Sequence, residues 1–427
     1  MISKLKSAGL VLLAVTCLSF AVWFGAHVRV GGVSDTGSVI RPDTPPGVRF
    51  VTVALGGFRG LLADVLWVRA SDLQEKGSFF EVAQLADWIT RLEPRYPEVW
   101  VYHAWNMAYN ITAVIPDPVD RWHWVKNGVR LLRDEGIPSN PGDPKLYWEL
   151  GWLYFDKVGG RWDEATLFYR VSLAREMSER VGGGLLNYTA IAGHPEVGRG
   201  IAAMGLNLEV MKELDAAYGP LDWRLPETHA MYWGFKGRPY QKPDARWCDR
   251  LVWMGMTETM KSGFLVFQPE KRIYQQGPRL DIAIKGIHRC MEEKAFEDSL
   301  TGLVATHFLR EASVYLFAFG RKGEAENALS ALRQIPGGDD GTISLEDFVR
   351  REVGQGTPMN PATRLERVLA FMTRADIWRR LEVPVYGNGF EQLARLHWEV
   401  LVKTDSHAPD WESLNRMAHE RSLREMP

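Results

Sequence analysis

The chain has 427 residues, with 51 Lys+Arg against 53 Asp+Glu and a formal net charge of −2. A balance this close supplies no basic field for nucleic acid and no acidic tail for a charge-driven partner. The length suffices to bury a large core, and the 17 tryptophans point to aromatic-rich helices that serve either as bulky core or as a binding face.

Ser7 to Val28 is a run of 22 residues without a formal charge, preceded by Lys4 and Lys6. As a helix it would reach roughly 33 Å, enough to cross a bilayer. Arg29 stands alone after it, so the charge bias places the N-terminus in the cytoplasm and the bulk of the chain outside. A cleaved signal peptide has a shorter apolar stretch and a small-residue site, and no such site precedes His27. Thr16 disfavours a lipidated Cys17. The expected organisation is a cytoplasmic tip and transmembrane anchor over 1–30 and a flexible linker over 31–57, rich in Gly, Pro, Ser, Thr and Asp.

From Phe58 the apolar period is helical. Leu61–Gln74 and Phe79–Pro94 carry it, the second stopping at a proline. PEVWVYHAWNMAYN, Pro97–Asn110, and PKLYWELGWLYFDK, Pro144–Lys157, share a pattern. Each opens on a proline whose fixed φ suits a helix start. Each then has an aromatic, Trp100 or Tyr147, and four positions on a small residue, Ala104 or Gly151, that lets a second helix cross closely. Val181–Gly205 is glycine-rich and reads as a break between two halves. Helical period resumes over Leu206–Gly219, Pro226–Gly234, Ala245–Ser262 and Leu280–Ala295, then over Arg364–Glu382 and Phe390–Thr404. No convincing alternating run marks a strand. These signals divide the remainder into a repeat domain over 58–180, an irregular helical middle region over 181–300, and a hairpin with C-terminal helices over 301–427. The fold class is all-α.

Tyr147, Leu150, Gly151 and Tyr154, followed by Gly160, Trp162, Ala165 and Tyr169, resemble the tetratricopeptide repeat, a helix pair of about 34 residues. Trp100 and Ala104 fit one unit earlier. Ala70, Leu73, Gly77, Phe79, Ala86 and Pro94 fit the unit before that, and Gly320, Ala325, Leu329 and Leu332 a late one. The resemblance covers roughly 160 of the 427 residues. The whole chain resembles membrane-anchored bacterial proteins carrying such divergent repeats. That likeness implies an α-solenoid and no activity. It further implies that the first helix of each pair lines a concave groove. Carried onto this chain, the groove positions are Trp67, then Tyr102, Trp105 and Tyr109, then Trp148, Trp152 and Phe155, with Lys145, Glu149 and Asp156 polar at the edges.

Other motifs have local readings. Gly337–Phe348 resembles half of a calcium loop, but the first ligand positions fall on Pro336 and Gly338, and Ser344 with Asp347 makes a helix capping box instead. The histidines, His103, His229 and His397 among them, have no metal-ligand spacing and read as core residues. Cys248 and Cys290 fit no zinc motif and either pair or stay as buried thiols. No phosphate loop, nucleophile elbow or dinucleotide fingerprint is present, so no catalytic, cofactor or metal residue is assigned.

The expected function is a membrane-anchored scaffold binding a protein or peptide partner, such as a component of an envelope complex, on the extracytoplasmic side. The rival is a helical-toroid enzyme acting on cell-envelope carbohydrate. It draws on the acids beside tryptophans at Asp87–Trp88, Trp148–Glu149, Trp162–Asp163 and Asp222–Trp223. The topology has a direct test. A reporter active only in the periplasm, fused after Pro427, should be active. A silent reporter there, with a working cytoplasmic one, would reverse the orientation.

Overall fold

The computed structural model describes residues 46–160, 162–191, 193–240, 242–294, 299–339, 341–355 and 359–426. The apolar run Ser7–Val28 lies outside the described residues. No described helix is long and apolar enough to cross a membrane. The chain divides into two compact units, Met1–Glu93 and Pro94–Pro427. The expected first repeat falls in the first unit and the later ones in the second.

In the first unit α1 (Pro46–Glu75) packs on α2 (Phe79–Leu92) through Ala63, Ala70, Val82, Ala86 and Ile89. Gly77 makes the turn between them at φ +74°, a left-handed conformation that favours glycine. Trp67 is half-buried on α1.

The second unit opens with four helices in two pairs. α3 starts as Pro97–Trp105 and continues through a π-helical turn, Asn106–Ile111, and Thr112–Val114. α4 runs Pro118–Arg130, then a π-helical turn Leu131–Gly136, then Ile137–Ser139. α5 is Pro144–Trp152 with a π-helical turn Leu153–Val158, and α6 is Thr166–Val181. Proline at the first helical position starts α3, α4 and α5, and the Asp117 and Asp143 side chains cap α4 and α5 by accepting backbone N–H bonds. α3 and α5 run parallel. Their hydrogen bonds climb in step, from Lys145–Glu98 through Trp105–Glu149 and Tyr109–Asp156 to Lys157–Thr112. α4 and α6 also run parallel, joined by Arg121–Asp163, Trp122 stacked on Tyr169, and Trp122 and Lys126 on Glu176. The four helices thus form two layers.

Past α6 come α7 (Tyr188–Ile191), α8 (Pro195–Ala203), α9 (Leu208–Tyr218), α10 (Pro226–Gly237) and α11 (Ala245–Ser262). The glycine run after α6 does not separate the halves. Gly182 ends α6 at φ +75°, and the Gly184 carbonyl accepts the Trp223 N–H at 2.9 Å. The Asp222 carboxylate fills the space where a Cβ of residue 184 would lie. The segment wraps back against the Leu221–Leu225 loop.

β1 (Phe264–Gln268) and β2 (Ile273–Gly277) then form an antiparallel hairpin, with Phe264 opposite Gly277 and Gln268 opposite Ile273. This corrects the reading that no strand is present. FLVFQ lacks polar alternation because both faces are partly covered: Leu265 packs with Ala174 and Leu225, and Phe264 meets Trp378 and Tyr386. α12 (Leu280–Glu292), α13 (Ser299–Ala318), α14 (Lys322–Arg333) and α15 (Leu345–Gln355) follow. The Ser344–Asp347 capping box forms at α15, with Oγ to Oδ2 at 2.7 Å and the Asp347 N–H on Oγ at 3.2 Å. α16 (Pro361–Arg380), α17 (Pro384–Thr404) and α18 (Trp411–Glu425) close over a core of Val368, Leu369, Met372, Ala394, Leu414 and Ala418.

α5 packs chiefly against α10 and α11, and Gly151 is where they approach. A Cβ at residue 151 would lie 2.5 Å from Leu251 Cδ2, 3.0 Å from the Ala230 carbonyl oxygen and 3.3 Å from Trp233 Cβ. Leu251 is able to turn aside, but the backbone oxygen is not. Gly151→Leu should therefore destabilise the fold by at least about 1–3 kcal/mol, and Gly151→Ala by less. Thermal melting of both variants checks this order, and an unshifted midpoint for the leucine variant would contradict the packing.

Candidate aromatic binding face

Every second-unit groove position lies on α3 or α5, whose parallel pairing brings the two sets together. Trp105 and Tyr109 stack with ring centroids 4.5 Å apart. Trp148 and Trp152 stack at 5.5 Å, and Phe155 follows Trp152 at 5.8 Å. Tyr102, Tyr109, Trp148, Trp152 and Phe155 are half-buried, and Trp105 is 36% exposed. By contrast Trp223, Trp233, Trp253 and Trp378 are fully buried. The expected groove rings form a partly open strip, while the core is filled by other tryptophans. Trp67 belongs to the first unit, and the face is described without it.

Two features of the face are absent from the sequence reading. Trp247 of α11 extends the strip, its centroid 5.8 Å from that of Trp148, and carries the Arg250 guanidinium at 5.4 Å. Its position in the helical run ARWCDRLVW, four residues before the buried Leu251, is the only signal for it. The π-helical turns also escape the pattern. They begin at Asn106 and Leu153, at matching offsets from Pro97 and Pro144. Each widens the helix locally, a distortion often found at functional sites. Here they carry Tyr109 and Asp156, hydrogen-bonded at 2.9 Å.

The edge position expected for Glu149 is corrected. Glu149 is only 7% exposed, set beneath the rings because it lies on the α3-facing side of α5. Trp105 Nε1 donates to its Oε2 at 2.8 Å. Burial pushes its pKa up to about 7, against the lowering effects of the Trp105 N–H and the Lys145 charge. Lys145 sits nearer the rim and bonds Glu98 at 2.9 Å. Burial, then the Asp156 charge, raises the Tyr109 phenol, which stays neutral.

Beneath the strip lies a second polar cluster. Lys157, 6% exposed, gives its ammonium to Asp163 at 2.5 Å and Thr112 at 2.9 Å, and lies 5.2 Å from the Tyr109 ring centroid. Asp163 also accepts from Arg121, Tyr169 and the Ala165 N–H. Burial works to raise this carboxyl, yet Lys157, the Ala165 N–H and Arg121 together hold it below the usual range.

The remaining candidate residues have structural surroundings. His229 is buried with Nε2 at 2.9 Å from the Trp223 carbonyl, and burial pushes its pKa down to about 4. Cys248 and Cys290 are separate buried thiols, both pushed up to about 12 by burial. Asp339, in the calcium-like loop, is held by Arg333 at 3.1 Å and Arg351 at 2.5 Å. No group of three or more His, Cys, Asp or Glu among the described residues is arranged to hold a metal ion. No protein-family model, curated protein or solved structure matches this chain.

Glu149 gives a pH-dependent prediction. Its folded pKa, about 7, stands above its ordinary value of 4.5, so the native state binds the proton more tightly. Its contribution to stability is present at low pH and is lost as pH rises from about 4.5 through 7. Glu149→Gln keeps an acceptor for Trp105 and removes the titration. The variant should melt close to the parent near pH 4 and above it at pH 8, by up to about 3 kcal/mol. Melting curves across this range check it; a variant that loses stability more at pH 8 than at pH 4 would contradict the burial argument.

Proposed function

We propose that this chain is a divergent tetratricopeptide-like scaffold, tethered through Ser7–Val28, that holds an extended segment of a protein partner outside the cytoplasm. The observation that carries the reading is the partly open strip of Trp105, Tyr109, Trp148, Trp152 and Phe155 on two parallel helices. Rigid aromatic rings supply large contact area at little entropic cost, and tryptophan and tyrosine dominate binding hot spots. Proline-containing segments are favoured occupants, because their extended backbone is preformed and docks well on aromatic-lined grooves. The anchor would raise the local concentration of the captured segment near the membrane.

The carbohydrate-enzyme reading draws on the high pKa of Glu149, which suits a general acid. It also needs a second free carboxylate. Asp156 is engaged by the Tyr109 hydroxyl, and Asp163 by Lys157 and Arg121. The observations therefore weigh toward binding.

Anisotropy of labelled proline–alanine peptides with interspersed aromatic residues, titrated with the full chain in detergent, tests the scaffold reading. Parent protein should bind them. Trp105→Ala and Trp152→Ala should each weaken binding about tenfold or more. Their melting should fall less than the roughly 3–5 kcal/mol expected for a core tryptophan. Parent-like affinity in both variants removes the strip from the binding surface.

A further inference from the structure

Among the acids beside tryptophans at Asp87, Glu149, Asp163 and Asp222, the structure treats Glu149 differently. Asp87 pairs with Arg91 at 3.0 Å, Asp163 with Lys157 and Arg121, and Asp222 with Arg224 at 2.6 Å. Glu149 has no ion pair among the described residues, although it is 7% exposed. A buried carboxylate is normally given a counter-charge, because losing water without one is costly. Lys145, one turn earlier on the same helix, directs its ammonium to Glu98 instead. One Glu149 oxygen, Oε2, is held by the Trp105 N–H.

Aromatic faces attract cations, and with Trp105 stacked on Tyr109 and Trp148 on Trp152 each of these rings keeps one face clear of its stacking partner. At the outer end of the strip Trp247 already has Arg250 over it, and Tyr109 has Lys157 beside it. Trp105, Trp148 and Trp152 have no cation over them among the described residues. An acid without an ion pair and three indoles without a cation therefore occupy the same few turns of α3 and α5.

We propose that this site receives the lysine or arginine side chain of the extended peptide held on the strip, the cation resting on the tryptophan faces and pairing with Glu149. The inference rests on the peptide-binding reading and deepens it. The ligand cation supplies the counter-charge that the fold withholds.

The site is also pH-sensitive. The charged and titratable groups facing Glu149 are Lys145 on α5 and Tyr109 on α3, with Asp156 acting on Tyr109 and with Glu98 on α3 and Asp244 at the start of α11 acting on Lys145. Glu149 is partly protonated near neutrality in the free protein. Binding a cation favours the ionised form, so binding releases a proton, and affinity rises with pH through about 7 and levels off above it.

The test uses the full chain in detergent and four proline–alanine–aromatic peptides that differ at one central residue: arginine, lysine, norleucine or glutamate. Anisotropy titrations at pH 8 should give arginine and lysine peptides about tenfold tighter than norleucine, with glutamate weakest. Between pH 6 and 8 the arginine peptide should gain up to about tenfold while norleucine stays flat. Glu149→Gln should abolish the cation advantage and its pH dependence and leave norleucine binding in place. Should that variant fail to fold, the charge series and the pH series on the parent protein still decide. Equal binding of arginine and norleucine peptides at both pH values overturns the cation site and leaves the peptide-binding face standing. Absence of binding by all four peptides overturns both.

Discussion

The buried ammonium of Lys157 joins parts of the four helices that frame the aromatic face. It lies on the π-helical turn of α5, bonds Thr112 at the end of α3, and pairs with Asp163 in the α5–α6 connection. Asp163 in turn holds Arg121 of α4 and Tyr169 of α6. Removing either member of a buried pair like this leaves an uncompensated charge, typically worth about 3–5 kcal/mol. The geometry of the strip follows. With the ends of α3 and α5 fixed, Tyr109 meets Asp156, Trp105 meets Glu149, and the rings are held at stacking distance.

Much of the local architecture is legible in the sequence, because proline and small residues act through sterics within a turn or two. Pro97, Pro118, Pro144, Pro195, Pro226, Pro361 and Pro384 each stand at a helix start, whatever lies nearby in space. The Ser344–Asp347 capping box and the close approach at Gly151 are legible for the same reason. The β-hairpin is not: FLVFQ carries no alternation, since partners far along the chain cover both its faces. The π-helical turns are not legible either. Two of them are joined by the Tyr109–Asp156 bond, whose partners lie on different helices. At the candidate face the aromatic positions are those that the resemblance to the repeat implies. The burial of Glu149 does not, because Trp148–Glu149 reads the same on an open rim as beneath a ring.

The tryptophans differ in how they use the indole N–H, and buried Trp223 gives its own to Asp215. Trp233, Trp253 and Trp378 are fully buried, or nearly so, and their N–H groups find no partner among the described residues. There the ring serves as volume, and the unsatisfied donor is outweighed by the apolar area removed from water. Trp100, Trp105 and Trp122 use their N–H groups, on the Pro94 carbonyl, Glu149 and Glu176 respectively. In the α3–α6 layers Trp100, Trp105 and Trp122 therefore act as hydrogen-bonded struts whose ring planes are set. A ring with a fixed plane is a better platform for a ligand than one that must be ordered on binding.

Glu149 and Asp163 complete the contrast. Both are carboxylates beside a tryptophan in sequence, and both are shielded from water by the α3–α6 layers. Asp163 has Lys157, Arg121 and a backbone N–H, and its pKa falls; its partner Trp162, 95% exposed, packs on none of this. Glu149 has one indole N–H, and its pKa climbs to about 7. The first carboxylate is consumed by the fold, since Lys157 and Arg121 both pair with it. The second is held in place by Trp105 but left unmatched in charge. Divergent pKa values among neighbouring acids mark where a structure keeps chemistry in reserve. On this chain the reserve lies under the only part of the α3–α5 layer where indole faces stay open and uncovered by a cation among the described residues.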